Sequence, residues 1–189
     1  MDKIERFEIR LSGTGGQGLV TAGIILAHAA IIEGRNAVQT QVYGPESRGG
    51  ACRSEVIIAD ATIDYPQVTQ PDICLVMSQE SYNLFADDVK PGGTLVVDST
   101  FIKERGDIEG IKVFSKPITE IVKRRLNTTI VANVVALTIL SEVVHLVKPE
   151  SLLNAIFAHV PQKFAELNEN AFQLGRELAE GGVRGNINQ

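Results

Sequence analysis

A run of alternating apolar residues, Phe7, Ile9 and Leu11, passes straight into LSGTGGQGLVTAG, thirteen residues holding five glycines, and on into the nearly all-apolar stretch Leu19 to Ile32. Period-two alternation over Arg6–Ser12 predicts a strand, and Leu19–Ile32 predicts a helix that Gly34 stops. A strand that turns into a helix over so few residues commits the chain to a β-loop-α unit, whose helix must pack back on a sheet. Because this helix is apolar almost all round, it has to be covered on more than its sheet-facing side. Gly13, Gly15 and Gly18 fit G-x-G-x-x-G, and the flanking strand and helix are the context that gives this weak pattern meaning. Glycines reach positive φ and let backbone N–H groups approach a phosphate at a helix N-terminus. A tight turn that needs small residues for packing alone accounts for the same spacing, and both readings stand at this point.

The rest of the chain extends the pattern into an α/β fold. Asn36–Tyr43 and Arg53–Ala59 read as strands. Only about nine residues separate them, too few for a parallel crossover, so they are expected to pair antiparallel. Asp72–Ser78 and Thr94–Asp98 are short buried-strand runs around a helix at Glu80–Val89, a βαβ unit. Lys112–Ser115 reads as a last strand, and from Ile118 onward the pattern is helical with breaks near Asn127, Pro149 and Pro161. The expectation is one Rossmann-like domain, residues 1–181, with a mixed, mostly parallel sheet and helices on both faces; residues 182–189 read as a mobile tail. The apolar stretches Leu19–Ile32 and Thr129–Leu140 carry more hydrophobic surface than one small sheet face covers, which points to a subunit interface.

Composition narrows the function. The 189 residues carry a formal charge of −5 and no basic run longer than Lys123-Arg124-Arg125, so nucleic acid is not an expected partner. The segment MDKIERFEIR lacks the apolar core of an export signal and no apolar run reaches the ~18 residues of a membrane span, which predicts a cytoplasmic protein without membrane contact. The two cysteines, Cys52 and Cys74, form no CxxC pair and read as buried thiols, and two thiolates cannot supply the four that an iron–sulfur cluster takes. His28 lies in the apolar helix and reads as a core or interface histidine; His145 and His159 have no acidic or cysteine partner at ligand spacing, so no metal site is expected. Asp98, followed by Ser99 and Thr100, reads either as a cap of the next turn, the preferred reading, or as a residue facing the cleft at the carboxyl edge of the sheet.

Two familiar uses of the glycine loop fail on the residues after it. A Walker A loop continues with Lys and Ser/Thr, whereas Gly18 is followed by Leu19 and Val20. A dinucleotide fold places a carboxylate at the end of the second strand, whereas NAVQTQVY offers only Gln39 and Gln41. That strand leads instead into QTQVYGPESRGGACRSE, where Ser47, Arg48, Gly49 and Gly50 form a short segment able to present amides and a guanidinium to an anion. The other reading is a surface turn with a solvated arginine, and Glu46 beside Arg48 opposes an anion unless it pairs elsewhere.

GTGGQG followed by QTQVYGPESRGGACRSEV, YPQVTQPDICLVMSQESY and KPGGTLVVDST closely resembles the gamma subunit of the 2-oxoacid:ferredoxin oxidoreductases, nearest the 2-oxoglutarate branch. The match runs from the first strand to about Leu140. It departs at Thr138, where the family has glycine, and at Lys123-Arg124-Arg125. The resemblance implies a part in oxidative decarboxylation of a 2-oxoacid on thiamine diphosphate, with electrons passing to iron–sulfur clusters and ferredoxin and coenzyme A carrying off the acyl group. It implies alpha, beta and ferredoxin-like delta partners that hold the thiamine diphosphate, Mg and clusters, since this chain has no GDG…NN pattern; isolated from them, the chain can pair as a homodimer. By the same resemblance, coenzyme A as co-substrate meets Gly13, Thr14, Gly15, Gly16, Gln17 and Gly18, with Tyr43, Ser47, Arg48, Gly49 and Gly50 as a second contact, and no catalytic residue falls on this chain. A purely structural subunit and an independent Rossmann-like nucleotide-binding enzyme are the competing readings.

Overall fold

The computed structural model describes residues 4–43 and 51–181. Six strands, β1 (Phe7–Thr14), β2 (Asn36–Tyr43), β3 (Ala51–Ala59), β4 (Ile73–Val76), β5 (Thr94–Asp98) and β6 (Lys112–Lys116), form one sheet in the order β2-β3-β1-β4-β5-β6. The helices are α1 (Leu19–Ile32), α2 (Gln79–Phe85), α3 (Ile118–Leu126), α4 (Ala132–Val144), α5 (Pro149–His159) and α6 (Ala165–Glu180).

β3 runs antiparallel to both β2 and β1, while β1, β4, β5 and β6 are parallel to one another. The sheet is therefore mixed and mostly parallel, as the short link between β2 and β3 requires. Tyr43 pairs with Cys52, and Ala51 with Thr14. The segment joining β2 to β3 thus leaves and re-enters the sheet at the edge where the glycine loop emerges from β1.

Several element bounds differ from the sequence expectation for local reasons. β1 continues through Gly13 and Thr14 because β3 pairs with it that far. The helix expected over Glu80–Val89 stops at Phe85 and tightens into a single 3₁₀ turn, Ala86–Asp88. α4 starts three residues later than the Thr129 expected of it, since the preceding helix ends with Asn127 in the left-handed region at φ 54° and the chain needs residues 128–131 to turn.

Helices lie on both faces, unequally. One face, with Ile9, Leu11, Val56, Ile58, Leu75, Val96 and Phe114, packs under α1, α3 and α4, with α5 and α6 outside them. The other face carries a smaller cluster in which Val76, Leu95 and Val97 meet Tyr82, Ala86 and Val89. The expected surplus of apolar surface on α4 is resolved inside the chain, because Ala132 through Ser141 are all buried. α6 covers them: a Cβ on Gly175 would stand 2.6 Å from the Thr138 Cβ, so α6 yields the space that Thr138 takes up. α1, in contrast, leaves Ile24, Ile31 and Ile32 exposed.

The smaller face also carries a buried ionic group absent from the sequence reading. Arg10, only 3% exposed, donates from Nε to Glu55 at 2.9 Å, pairs with Asp88, and lies 5.2 Å from the Phe85 ring centroid. No helix among the described residues is long and apolar enough to cross a membrane.

Candidate functional site

The glycine loop sits at the carboxyl edge of the parallel strands, where open α/β sheets bind ligands. Its four glycines have different reasons to be glycine. A Cβ on Gly13 would stand 2.2 Å from Gln17 Oε1 and 2.9 Å from Leu19 Cδ1, so a side chain there would displace both. Gly18, the N-cap of α1, is left-handed at φ 76°, and a Cβ there would meet Asn133 Nδ2 at 2.5 Å. Gly16 is also left-handed, at φ 94°, with open space beside it. Gly15 has neither constraint: no positive φ, and no atom of the described residues within 4 Å of where its Cβ would be.

The loop is braced from within. The Gln17 side chain folds back, its Oε1 accepting from the Thr14 amide at 2.7 Å and its Nε2 donating to the Met77 carbonyl at 3.0 Å. This side-chain amide is committed to tying β1 to the end of β4, so Gln17 offers a ligand its backbone. Asn133 Nδ2 donates to the Gly18 carbonyl at 3.1 Å and pins the start of α4 to the start of α1. No N-cap side chain bonds the first amides of α1, which leaves the positive end of that helix dipole beside the loop.

Beside the loop opens a cleft of about 430 Å3, lined by Gly16, Gln17 and Gly18, by Met77 and Phe101 beyond β4 and β5, by Thr119 of α3, and by Thr129, Ile130 and Ala132 at the start of α4. The described lining holds no ionised side chain. Asp98, fully buried, accepts from Thr119 Oγ1 at 2.6 Å, from the Thr119 amide at 3.2 Å and from the Thr100 amide at 3.0 Å. It caps α3 and the turn before it, as its sequence context suggested, and is no part of the cleft. Of the residues singled out for the site, Gly13, Thr14, Gly15, Gly16, Gln17 and Gly18 come together here. Tyr43 ends β2 at the same edge, and Ser47, Arg48, Gly49 and Gly50 lie outside the described residues, as does Glu46. Sequence reading missed Met77, Phe101, Thr119, Thr129 and Ile130; Met77 lies in the last residues of the strand expected over Asp72–Ser78 and Phe101 just beyond the one expected over Thr94–Asp98, so the carboxyl end of a strand is the one local signal that could have found them.

Both cysteines are free and buried. Burial pushes Cys74 up to about 12, with the nearby Arg10 charge opposing only in part, and burial also raises Cys52. Away from the cleft, His28 Nδ1 and His159 Nε2 approach to 3.1 Å between α1 and α5, a pairing that residues 131 positions apart do not announce.

Residues 8–178 match the pyruvate ferredoxin/flavodoxin oxidoreductase family. The 2-oxoglutarate synthase subunit KorC of Methanocaldococcus jannaschii is 43% identical over 177 residues, 93% of this chain and 95% of that one. The crystal structure of the keto/oxoacid ferredoxin oxidoreductase gamma subunit from Geobacter sulfurreducens superposes with a TM-score of 0.86 at 42% identity, covering 95% of this chain and 99% of that one. A 2-oxoglutarate:ferredoxin oxidoreductase from Magnetococcus marinus, with 2-oxoglutarate, coenzyme A and succinyl-CoA bound, has the same fold at a TM-score of 0.84 and 23% identity, over 99% of this chain and 33% of that one.

Proposed function

Because the chain belongs to the pyruvate ferredoxin/flavodoxin oxidoreductase family, we propose that it is the gamma subunit of a 2-oxoglutarate:ferredoxin oxidoreductase and that its glycine loop receives the anionic end of coenzyme A. The overall reaction converts 2-oxoglutarate, coenzyme A and oxidised ferredoxin to succinyl-CoA, CO2 and reduced ferredoxin, with two electrons leaving through the complex. Thiamine diphosphate with Mg, and iron–sulfur clusters, supply the decarboxylation and electron transfer when bound by the alpha, beta and ferredoxin-like delta partners. With two cysteines in all, both buried, this chain has no cluster to offer. Its own task is to bind and orient the thiol substrate.

Unpaired amides at the start of α1, next to glycines that admit close approach, suit a diphosphate. Arg48 and Ser47 would add a charge-assisted contact from the segment that joins β2 to β3 at this edge. A purely structural role accounts for Gly13 and Gly18, which the fold itself requires. It does not account for Gly15, and that is the observation on which the reading rests: the one position in the loop where a side chain would disturb nothing among the described residues.

The same contrast supplies the test. Gly15→Val is expected to leave folding and assembly unchanged and to raise the KM for coenzyme A in the reconstituted enzyme, read as coenzyme A dependence of ferredoxin reduction. Arg48→Ala removes a contact worth about 1.5–3 kcal/mol, a loss of roughly 10- to 100-fold in affinity. Wild-type coenzyme A dependence in both assembled variants would leave the loop structural; loss of CO2 release without coenzyme A would assign it to supporting the thiamine site instead.

A further inference from the structure

Two large apolar side chains stand on the rim of the cleft without serving the core. Phe101 is 46% exposed and Ile130 is 70% exposed. Each is turned outward by anchored neighbours. Thr100 is held by Asp98 through its amide, and Ile102 is buried to 1%, so the residue between them faces out. The Ile130 amide donates to Thr128 Oγ1 at 3.2 Å, and Val131 beyond it is buried to 3%. Both belong to loops at the carboxyl edge, and both line the 430 Å3 cleft that also contains Gly16, Gln17 and Gly18.

The cleft therefore has two chemical halves. One offers backbone amides and the uncapped start of α1, which suit phosphate. The other offers an aromatic ring and a branched aliphatic side chain, with no ionised group in the described lining and Thr119 Oγ1 already committed to Asp98. A ligand that carries a phosphate beside a flat, uncharged, weakly polar ring fits both halves at once; a flexible arm of amides and methylenes does not need the ring.

We propose that Phe101 and Ile130 clamp the adenine base of coenzyme A, and that Phe101 sets the preference of this enzyme for the nucleotide-bearing form of its thiol substrate. The proposal rests on the coenzyme A reading above and extends it from the phosphates to the base. Stacking of a base on an aromatic side chain is strong enough to dominate recognition of that end of the ligand.

The experiment uses the assembled multi-subunit enzyme and two probes. Adenosine 3′,5′-bisphosphate, the nucleotide end without the thiol arm, is titrated by calorimetry. 4′-Phosphopantetheine, the thiol arm without the nucleoside, is compared with coenzyme A as acyl acceptor. Phe101→Ala is expected to weaken bisphosphate binding roughly 10- to 100-fold and to lower the kcat/KM ratio of coenzyme A over phosphopantetheine by a similar factor. Phe101→Tyr keeps the ring and is expected to restore both. Equal bisphosphate affinity in wild type and Phe101→Ala overturns the proposal, as does an equal loss with both acceptors, which would place the thiol arm on the ring. Release of partner subunits by Phe101→Ala also overturns it, since the ring would then be a protein contact. Gly15→Val separates the two readings: an effect there with none at Phe101 removes the clamp alone, whereas no effect at either removes coenzyme A from this site.

Discussion

Gly15 and Gly18 are three residues apart and are both glycine, yet the fold asks for only one of them. At Gly18 a left-handed backbone and the Asn133 amide exclude any side chain, while at Gly15 the surroundings are open. Spacing alone treats them as equals, because a motif records residue types and not the space around them. Cys74 shows the opposite relation, in which local pattern and tertiary outcome agree. It is fully buried in β4, and desolvation of the thiolate pushes it up to about 12 from 9.0. The native state therefore holds this proton more tightly than the unfolded chain. Its contribution is complete below pH 9.0 and is lost as pH rises toward about 12. Native protein at neutral pH is expected to leave Cys74 unmodified by a disulfide reagent, and stability measured by urea unfolding is expected to fall above pH 9.0, less steeply in Cys74→Val. Rapid modification of Cys74 in the folded protein would contradict the burial argument.

β1 and β3 carry the least predictable element-level feature. Arg10 and Glu55 face each other across the antiparallel pair, and both are nearly excluded from water. A buried pair of this kind is weak evidence of net stabilisation, but removing one partner leaves an uncompensated charge. Arg10→Ala is thus expected to cost about 3–5 kcal/mol in urea unfolding. Arg125→Ala, which breaks the exposed pair with Glu177 between α3 and α6, is expected to leave the unfolding midpoint unchanged. Equal effects of the two would show that Arg10 is solvated in solution. The α4–α6 contact illustrates compensation between elements. Thr138 Oγ1 returns to the Val134 carbonyl at 2.8 Å, and the small residue at this crossing is Gly175 on α6.

At the scale of the whole molecule, the outer surface of α1 is one apolar area that the described residues leave uncovered, away from the cleft. Ile24 and Ile31 are two turns apart on one face of the helix, and Ile31 is 55% exposed. Phe157 on α5, the helix packed alongside, is exposed as well. In the Magnetococcus marinus enzyme the same fold is about a third of a longer chain, where it has neighbours in the same polypeptide. The relatives of this chain are named as subunits, and a subunit meets its partners through non-covalent contacts. The variant Ile24→Asp/Ile31→Glu is expected to fold with an unchanged unfolding midpoint, since both sites face solvent, and to lose recovery of partner subunits on co-purification. Undiminished recovery would move the interface off α1.

Local order is legible in the residues themselves. β2, β5 and α1 occupy the spans that periodicity and glycine punctuation mark, and the seven residues between Tyr43 and Ala51 oblige β3 to return antiparallel. The glycine loop is legible for the same reason: a loop between a strand and the helix after it is local information. What the residues alone left undecided depends on the order of strands in the sheet and on which helix covers which. The cleft draws Met77, Phe101, Thr119 and Ile130 from four separate connections and elements, and they meet the loop because β4 lies beside β1, β5 beside β4, and α3 and α4 pack over that part of the sheet. Arg10 finds Glu55 across 45 positions, and α4 is sealed by a helix that begins more than twenty residues after it ends. Periodicity along a chain reports conformation and how much each residue is buried. Which distant surfaces do the burying is settled by the packing of the whole chain around one sheet.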